Sequence, residues 1–207
     1  MSAKVQNIDC LEFMRNFPDN YFELAIVDPP YGLERLQKGS LRLGGVKGNH
    51  KDKLEWDKKP TEEYFNELFR VSKNQIVWGA NNFIMPPSEY FCIWNKKQTV
   101  DNFATAEYAW VSMGLKKPAK IFDYSIHKHN QTDKIHPTQK PVALYRWLLQ
   151  NYAKQGDKIL DTHLGSGSSR IAADMEGFDF YACELDADYF TASCKRFDDY
   201  KKQIKLL

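Results

Sequence analysis

Two short segments hold residues whose types and spacing could do chemistry. The first is Asp28-Pro29-Pro30-Tyr31. Successive prolines fix φ and stiffen the chain. Asp28 then offers a carboxylate and Pro29 a carbonyl, with no N–H on Pro30 to compete for either. Two acceptors in fixed geometry suit an –NH2 group, and Tyr31 adds a flat ring able to stack on a planar base. The second segment runs Asp161-Thr162-His163-Leu164-Gly165-Ser166-Gly167-Ser168, between a strand pattern and a helix pattern. Gly165 and Gly167 let backbone approach a ligand where a side chain would collide. The helix that follows supplies unpaired N–H groups and a positive dipole end. Glu184 closes the next strand, where a carboxylate can accept hydrogen bonds from both hydroxyls of a ribose. A dinucleotide fingerprint would carry a third glycine where Arg170 stands. An adenosyl ligand with a single carboxylate therefore fits better than one with a pyrophosphate.

The elements that must position these segments alternate. Strand patterns fall at 4–8, 23–28, 75–79, 90–94, 107–111, 120–124, 158–161 and 180–184, the four from 75 to 124 rich in aromatic and β-branched residues. Helix patterns fall at 10–16, after Pro60, after Pro141, at 168–176 and from Ala187 onward. Strands interleaved with helices imply an α/β fold with a mostly parallel sheet covered on both faces. With no linker in the chain, 1–207 reads as a single domain. Pro29 and Pro30 end their strand, because neither can donate to a ladder. The polar stretch 32–59, with Gly39, Gly44, Gly45 and Gly48, is too long for a passive connection in a compact domain.

The 207 residues are 43% hydrophobic and 27% charged, enough for one core and incompatible with a disordered, collagen-like or coiled-coil chain. No apolar run is long enough to span a bilayer, and the first ten residues lack an apolar leader, so the expectation is a cytoplasmic protein without a membrane partner. The formal charge of +2 is unevenly placed. Residues 32–59 and residues 95–140 each carry eight Lys/Arg against four Asp/Glu, which leaves the remainder acidic. Basic loops on an acidic body suit a polyanion, although two solvated loops with no partner would look the same. The candidates for phosphate contact are Arg35, Lys38, Arg42, Lys47, Lys51 and Lys53. The four cysteines form no C-x-x-C pair and read as reduced thiols. His127-x-His129 is half of a metal site that nothing nearby completes, so no metal is expected.

Taken in order, these motifs resemble those of the S-adenosylmethionine-dependent DNA adenine-N6/cytosine-N4 amino-methyltransferases, in the permuted, beta-type order that puts the catalytic motif before the cofactor motif. Asn7-Ile8-Asp9-Cys10 is similar to the segment whose acid contacts the cofactor adenine, and 28–31 is similar to the catalytic motif. Trp78-Gly79-Ala80-Asn81-Asn82-Phe83 resembles the family's G-G-N-N-Y/F strand end, with Ala80 in place of one glycine. Residues 103–110 resemble its E-x-A-W strand, and His136-Pro137-Thr138-Gln139-Lys140-Pro141 the segment that helps hold the methionine end of the cofactor. The resemblance implies a Rossmann-like methyltransferase fold, with Asp28, Pro29, Pro30 and Tyr31 catalytic. It implies that Asp9, Cys10, Asp28, Thr138, Lys140, Asp161, Gly165, Ser166, Gly167, Ser168 and Glu184 bind S-adenosyl-L-methionine. Two departures stand out. Thr162 and His163 replace the family's Pro-Phe pair, and only residues 112–135 occupy the place where relatives often carry a larger target-recognition region.

The reaction so implied is direct methyl transfer to the exocyclic N6 amine of adenine in DNA, on a base flipped out of the duplex. The basic loops 32–59 and 112–135 would be the DNA-contacting insertions. No cysteine sits in the Pro-Cys motif that cytosine-C5 chemistry requires. Cytosine-N4 methylation needs the same amine chemistry, though permuted relatives with that activity more often carry Ser at the first motif position. RNA or a protein glutamine is a further enzyme reading, and a non-catalytic DNA-binding module a reading of another class. A short recognition region fits a relaxed target site, or recognition shared across a homodimer. Small stand-alone relatives are often phage or prophage enzymes, and one chain names no restriction partner.

Overall fold

β2 (Phe22–Val27) is buried along its length except at Glu23, as the central strand of a sheet covered on both faces must be. In the computed structural model the described residues are 3–32, 58–101, 104–130 and 134–204. Arg35, Lys38, Arg42, Lys47, Lys51, Lys53 and Phe103 lie outside them, as do residues 131–133 of the second basic loop. The other strands are β1 (Ala3–Asn7), β3 (Ser72–Trp78), β4 (Phe91–Asn95), β5 (Ala106–Val111), β6 (Lys120–Asp123), β7 (Lys158–Asp161) and β8 (Asp179–Glu184). The helices are α1 (Cys10–Arg15), α2 (Glu62–Val71), α3 (Ile126–Asn130), α4 (Val142–Tyr152), α5 (Ser168–Glu176) and α6 (Ala187–Ile204).

One eight-stranded sheet results, in the order β1-β8-β7-β2-β3-β5-β4-β6. All neighbours pair parallel except β5, which runs against both β3 and β4. The alternating residues of β2 divide the core. Leu24 and Ile26 join Trp78, Leu144, Leu148 and Ala172 on one face. Ala25 and Val27 join Phe13, Met14, Tyr64 and Leu68 on the other. Each large apolar side chain among them contributes roughly 1.5–3 kcal/mol relative to its exposed state. α2 starts where Thr61 accepts from the Tyr64 N–H and two glutamates occupy the first turn, at the positive end of the helix dipole.

Two details depart from the sequence reading. β3 begins at Ser72, directly on the end of α2, because Gln75 and Ser72 satisfy one another in the core: Gln75 Nε2 donates to the Ser72 carbonyl at 2.6 Å. Its polar first half conceals a strand. Within 112–135, the strand expected at 120–124 forms as β6, parallel to β4, and it is the helix α3 after it that the pattern did not announce, so this stretch is not all loop. No helix among the described residues is long and apolar enough to cross a membrane.

Candidate active site

From β7 the chain passes through α5 to β8, towards one edge of the sheet; from β2 it passes through α2 to β3, towards the other. Strand order therefore reverses between β7 and β2, and a crevice opens at the carboxyl ends of such a pair. The two segments singled out from sequence end these two strands. Leu160 pairs with Ala25, one residue before Asp161 and three before Asp28, and the two aspartates feel each other's charge.

Asp28 is held on both oxygens. The Tyr31 hydroxyl donates to Oδ1 at 2.6 Å, and Lys140 Nζ donates to Oδ2. Lys140 Nζ also lies 3.2 Å from Glu107 Oε2, while Lys96 Nζ lies 2.6 Å from Glu107 Oε1. Lys96-Glu107-Lys140-Asp28 is thus a chain of alternating charge, and its members compensate each other's burial. Burial alone would push Lys140 down, but Asp28 and Glu107 together hold it well above the ordinary lysine range. Burial likewise pushes Glu107 up, and the two ammonium groups reverse this, to about 2. Lys140, expected at the methionine end of a cofactor, is here a buried partner of the Asp28 carboxylate.

The Tyr31 ring is fixed by a glycine. Gly79 has φ +64°, and a Cβ there would fall 2.1 Å from Tyr31 Cε1. Phe83 packs edge-on against Tyr31, with ring centroids 6.1 Å apart. Burial and the Asp28 charge keep the tyrosine hydroxyl well above its ordinary pKa, so it stays a donor.

Around the glycine turn, Gly165 and Gly167 take left-handed φ values of 51° and 73°. Glu184 Oε2 accepts from the Gly165 N–H at 2.8 Å, and Oε1 from the Asp186 N–H at 3.0 Å. Ser166 and Ser168 turn inward: their hydroxyls are 3.1 Å apart, and Arg196 donates to Ser168 Oγ at 2.9 Å and to the Ser166 carbonyl at 2.8 Å. Gly167 is the N-cap of α5 and brings no side chain to it. Asp161 accepts from Ser169 Oγ at 2.5 Å and from the His163 N–H at 3.0 Å, yet burial lifts its carboxyl to about 7. Asp9 caps α1, accepting from the Leu11 N–H at 2.8 Å, at the end of the strand paired with β8. Burial lifts the neighbouring Cys10 thiol to about 12. Thr138 bonds only locally among the contacts seen, its hydroxyl 3.1 Å from His136 Nδ1.

Thus Asp28, Tyr31 and Lys140 touch one another, and Glu184 touches the glycine turn. Sequence reasoning gave no role to Glu107, Lys96 or Arg196. The signal for Glu107 was present, an acid at the head of an otherwise apolar strand. His163 stands where the family has Phe, and its half-buried ring meets Tyr64 edge-on at 5.4 Å. Tyr64 in turn shares a 2.6 Å hydrogen bond with Thr162. The Thr-His pair thus fills the place of Pro-Phe with its own polar contacts. His129 bonds the Gln139 carbonyl through a ring nitrogen at 2.6 Å, and no cluster of metal-ligating side chains occurs among the described residues.

A parallel sheet with a glycine turn and an acidic Pro-Pro motif at its switch point defines an α/β transferase-like fold. The family model described as DNA methylase, for N6/N4 methyltransferases, matches residues 89–195, and the chain belongs to that family. Among curated relatives, the type II methyltransferase M.HinfI of Haemophilus influenzae is 25% identical over 245 residues, covering 93% of this chain and 67% of that protein. The type II methyltransferase M2.MboI of Moraxella bovis is 24% identical over 246 residues, covering 95% and 88%. The fold is also that of the M1.HpyAVI–SAM complex, with a TM-score of 0.61 at 17% identity over 94% of this chain and 99% of that one. It is shared by the cytosine-N4-specific PvuII DNA methyltransferase, with a TM-score of 0.64 at 14% identity over 95% and 86%.

Proposed function

We propose that the protein is an S-adenosylmethionine-dependent DNA methyltransferase that modifies the N6 amine of adenine, on a base turned out of the duplex. The observation that carries this reading is Asp28, fixed by Tyr31 and Lys140 at the carboxyl end of β2, beside the glycine turn that ends β7.

The residues present fit the methyl donor. Glu184 places two carboxylate oxygens at the end of β8, Gly165 and Gly167 bring no side chains to the turn, and the N-cap of α5 makes no side-chain hydrogen bond to the helix's first N–H groups. In this reading Glu184 holds the ribose, Asp9 and Cys10 border the adenine, and Asp161, Gly165, Ser166, Gly167 and Ser168 shape the turn. Thr138 and Lys140 lie towards the methionine end. When bound, S-adenosylmethionine supplies an electrophilic methyl group.

The chain's own part is to prepare the nucleophile. The lone pair of an exocyclic amine is delocalised into the base, so the nitrogen attacks poorly. Asp28 and the Pro29 carbonyl accept hydrogen bonds from –NH2, favour a tetrahedral nitrogen and stabilise its developing positive charge. Pro30 keeps the two acceptors in fixed relation, and alignment contributes much of the remaining acceleration. Turning the base out costs about a few kcal/mol, of which stacking on Tyr31 returns about 1–3 kcal/mol. The basic stretches 32–59 and 112–135 contact phosphates in this reading.

Transfer of labelled methyl groups to DNA tests it. Asp28→Ala should abolish transfer, with a melting measurement beside it to separate lost chemistry from lost stability, and nucleoside mass spectrometry should find N6-methyladenine in the parent's product. N4-methylcytosine in the product would replace the adenine assignment, since the same pair of acceptors serves that amine.

A further inference from the structure

Ile84 is 98% exposed, the most exposed of the large apolar side chains described. Single exposed isoleucines are ordinary, but this one has an unusual mounting. Its neighbours Phe83 and Met85 both pack against the core cluster below α2, so the chain alternates in, out, in, and Ile84 alone projects between two anchored residues. Phe83 packs on Phe65 at 5.4 Å and on Tyr31 at 6.1 Å. Upstream, Asn82 Nδ2 donates to the Gly79 carbonyl at 2.9 Å, and Gly79 is the residue pressed against the Tyr31 ring. Downstream, Trp110 Nε1 donates to the Pro86 carbonyl at 2.8 Å, and Pro87 follows. The segment is therefore braced on both sides, and Ile84 follows directly on Phe83, whose ring packs on the Tyr31 that hydrogen-bonds Asp28.

A braced apolar side chain beside a base pocket suits one task. Proteins that distort duplex DNA insert Ile, Leu, Met or Phe between base steps, and the side chain replaces stacking that the distortion removes. We infer that Ile84 is the wedge that enters the duplex beside the target and occupies the stack vacated when the base turns into the site. This rests on the base-flipping reading above. The occupant is duplex DNA rather than a protein, because Phe83 and Met85 on either side are half-buried and packed on the core, which leaves Ile84 a single projecting side chain rather than a broad apolar face.

The test compares native and heat-denatured plasmid DNA as methyl acceptors for the whole protein. Ile84→Ala should slow methylation of native DNA roughly tenfold, as expected for losing the contact of a few methylene groups. Denatured DNA, whose bases are already unpaired, should be methylated at the parent's rate. Ile84→Leu should restore most of the native-DNA rate. Because the side chain touches solvent, Ile84→Ala should melt at the parent's temperature. Equal rates for parent and Ile84→Ala on native DNA, or equal slowing on both DNAs, would overturn the wedge. A parent that methylates denatured DNA but not native DNA would instead overturn the base-flipping reading, and the wedge with it.

Discussion

Glu107 stands at the head of a strand whose inward residues are apolar, and its charge is compensated by two lysines from different parts of the chain. The effect reaches the reaction through Lys140. An ammonium beside Asp28 opposes positive charge on a methyl-accepting nitrogen, and Glu107 draws part of that ammonium's field away. Glu107→Gln leaves Lys140 with Asp28 as its only carboxylate partner among the contacts described here. It should then cost about 3 kcal/mol of stability, as expected when one member of a buried pair is neutralised. It should also lower kcat about tenfold or more, with little change in KM for DNA, since the loss is in transition-state charge stabilisation. Steady-state kinetics beside a denaturant titration checks both. A raised KM with unchanged kcat would place Glu107 in substrate binding instead.

At the scale of elements, the joint between β3 and the segment after it fixes the Tyr31 ring. Gly79 is the only residue type that fits there on two independent grounds, its left-handed φ and the 2.1 Å approach of a Cβ to Tyr31. Gly79→Ala should therefore displace the ring and its bond to Asp28, lowering methyl transfer on the order of a hundredfold, as small misplacements of reacting groups do. Substrate-free stability should fall by about 1 kcal/mol or more. Parallel activity and melting measurements separate the two effects. Gly79 was visible in the sequence as part of a familiar strand end, and so were all eight strands, because apolar runs between turn residues are local signals. The start of β3 was not visible: Ser72 and Gln75 are polar yet buried, and only their mutual hydrogen bonds explain it. Nor was the lysine-glutamate chain. It depends on the register that sets Trp94 opposite Glu107 and so brings Lys96 near, and register is not written in the pattern of a single strand. The same limit applied to Lys140, whose motif gave its neighbourhood but not the carboxylate it meets.

For the molecule as a whole, carboxyl and imidazole groups gathered around the glycine turn make stability depend on pH in opposing ways. Burial lifts Asp161 from 3.8 to about 7, and burial lowers His163 and His136 from 6.5 to about 4. His129 is lowered too, mainly by burial. Between pH 7 and 4 the folded chain keeps a proton on Asp161 that the unfolded chain releases, so this group's contribution is full below pH 4 and is lost as pH rises towards 7. The histidines act the other way. Between pH 6.5 and 4 the unfolded chain binds protons that the folded chain excludes, so their contribution is present above pH 6.5 and is lost on acidification. Each unmatched proton is worth about 1.4 kcal/mol per pH unit. Because more than one histidine opposes Asp161 and Glu184, whose carboxyl burial also raises, stability should fall from pH 6.5 to pH 4.5, less steeply than the histidines alone would dictate. Asp161→Asn can keep both local hydrogen bonds, since the Ser169 hydroxyl can accept as well as donate. It should steepen the acid limb and stabilise the protein at pH 8. His163→Phe, which installs the residue usual in the family and keeps a ring against Tyr64, should flatten the acid limb. Denaturant midpoints at half-unit intervals measure all three proteins. A parent that gains stability between pH 6.5 and 5 would show that Asp161 outweighs the histidines, and that the turn is built to favour a protonated carboxyl beside the cofactor site.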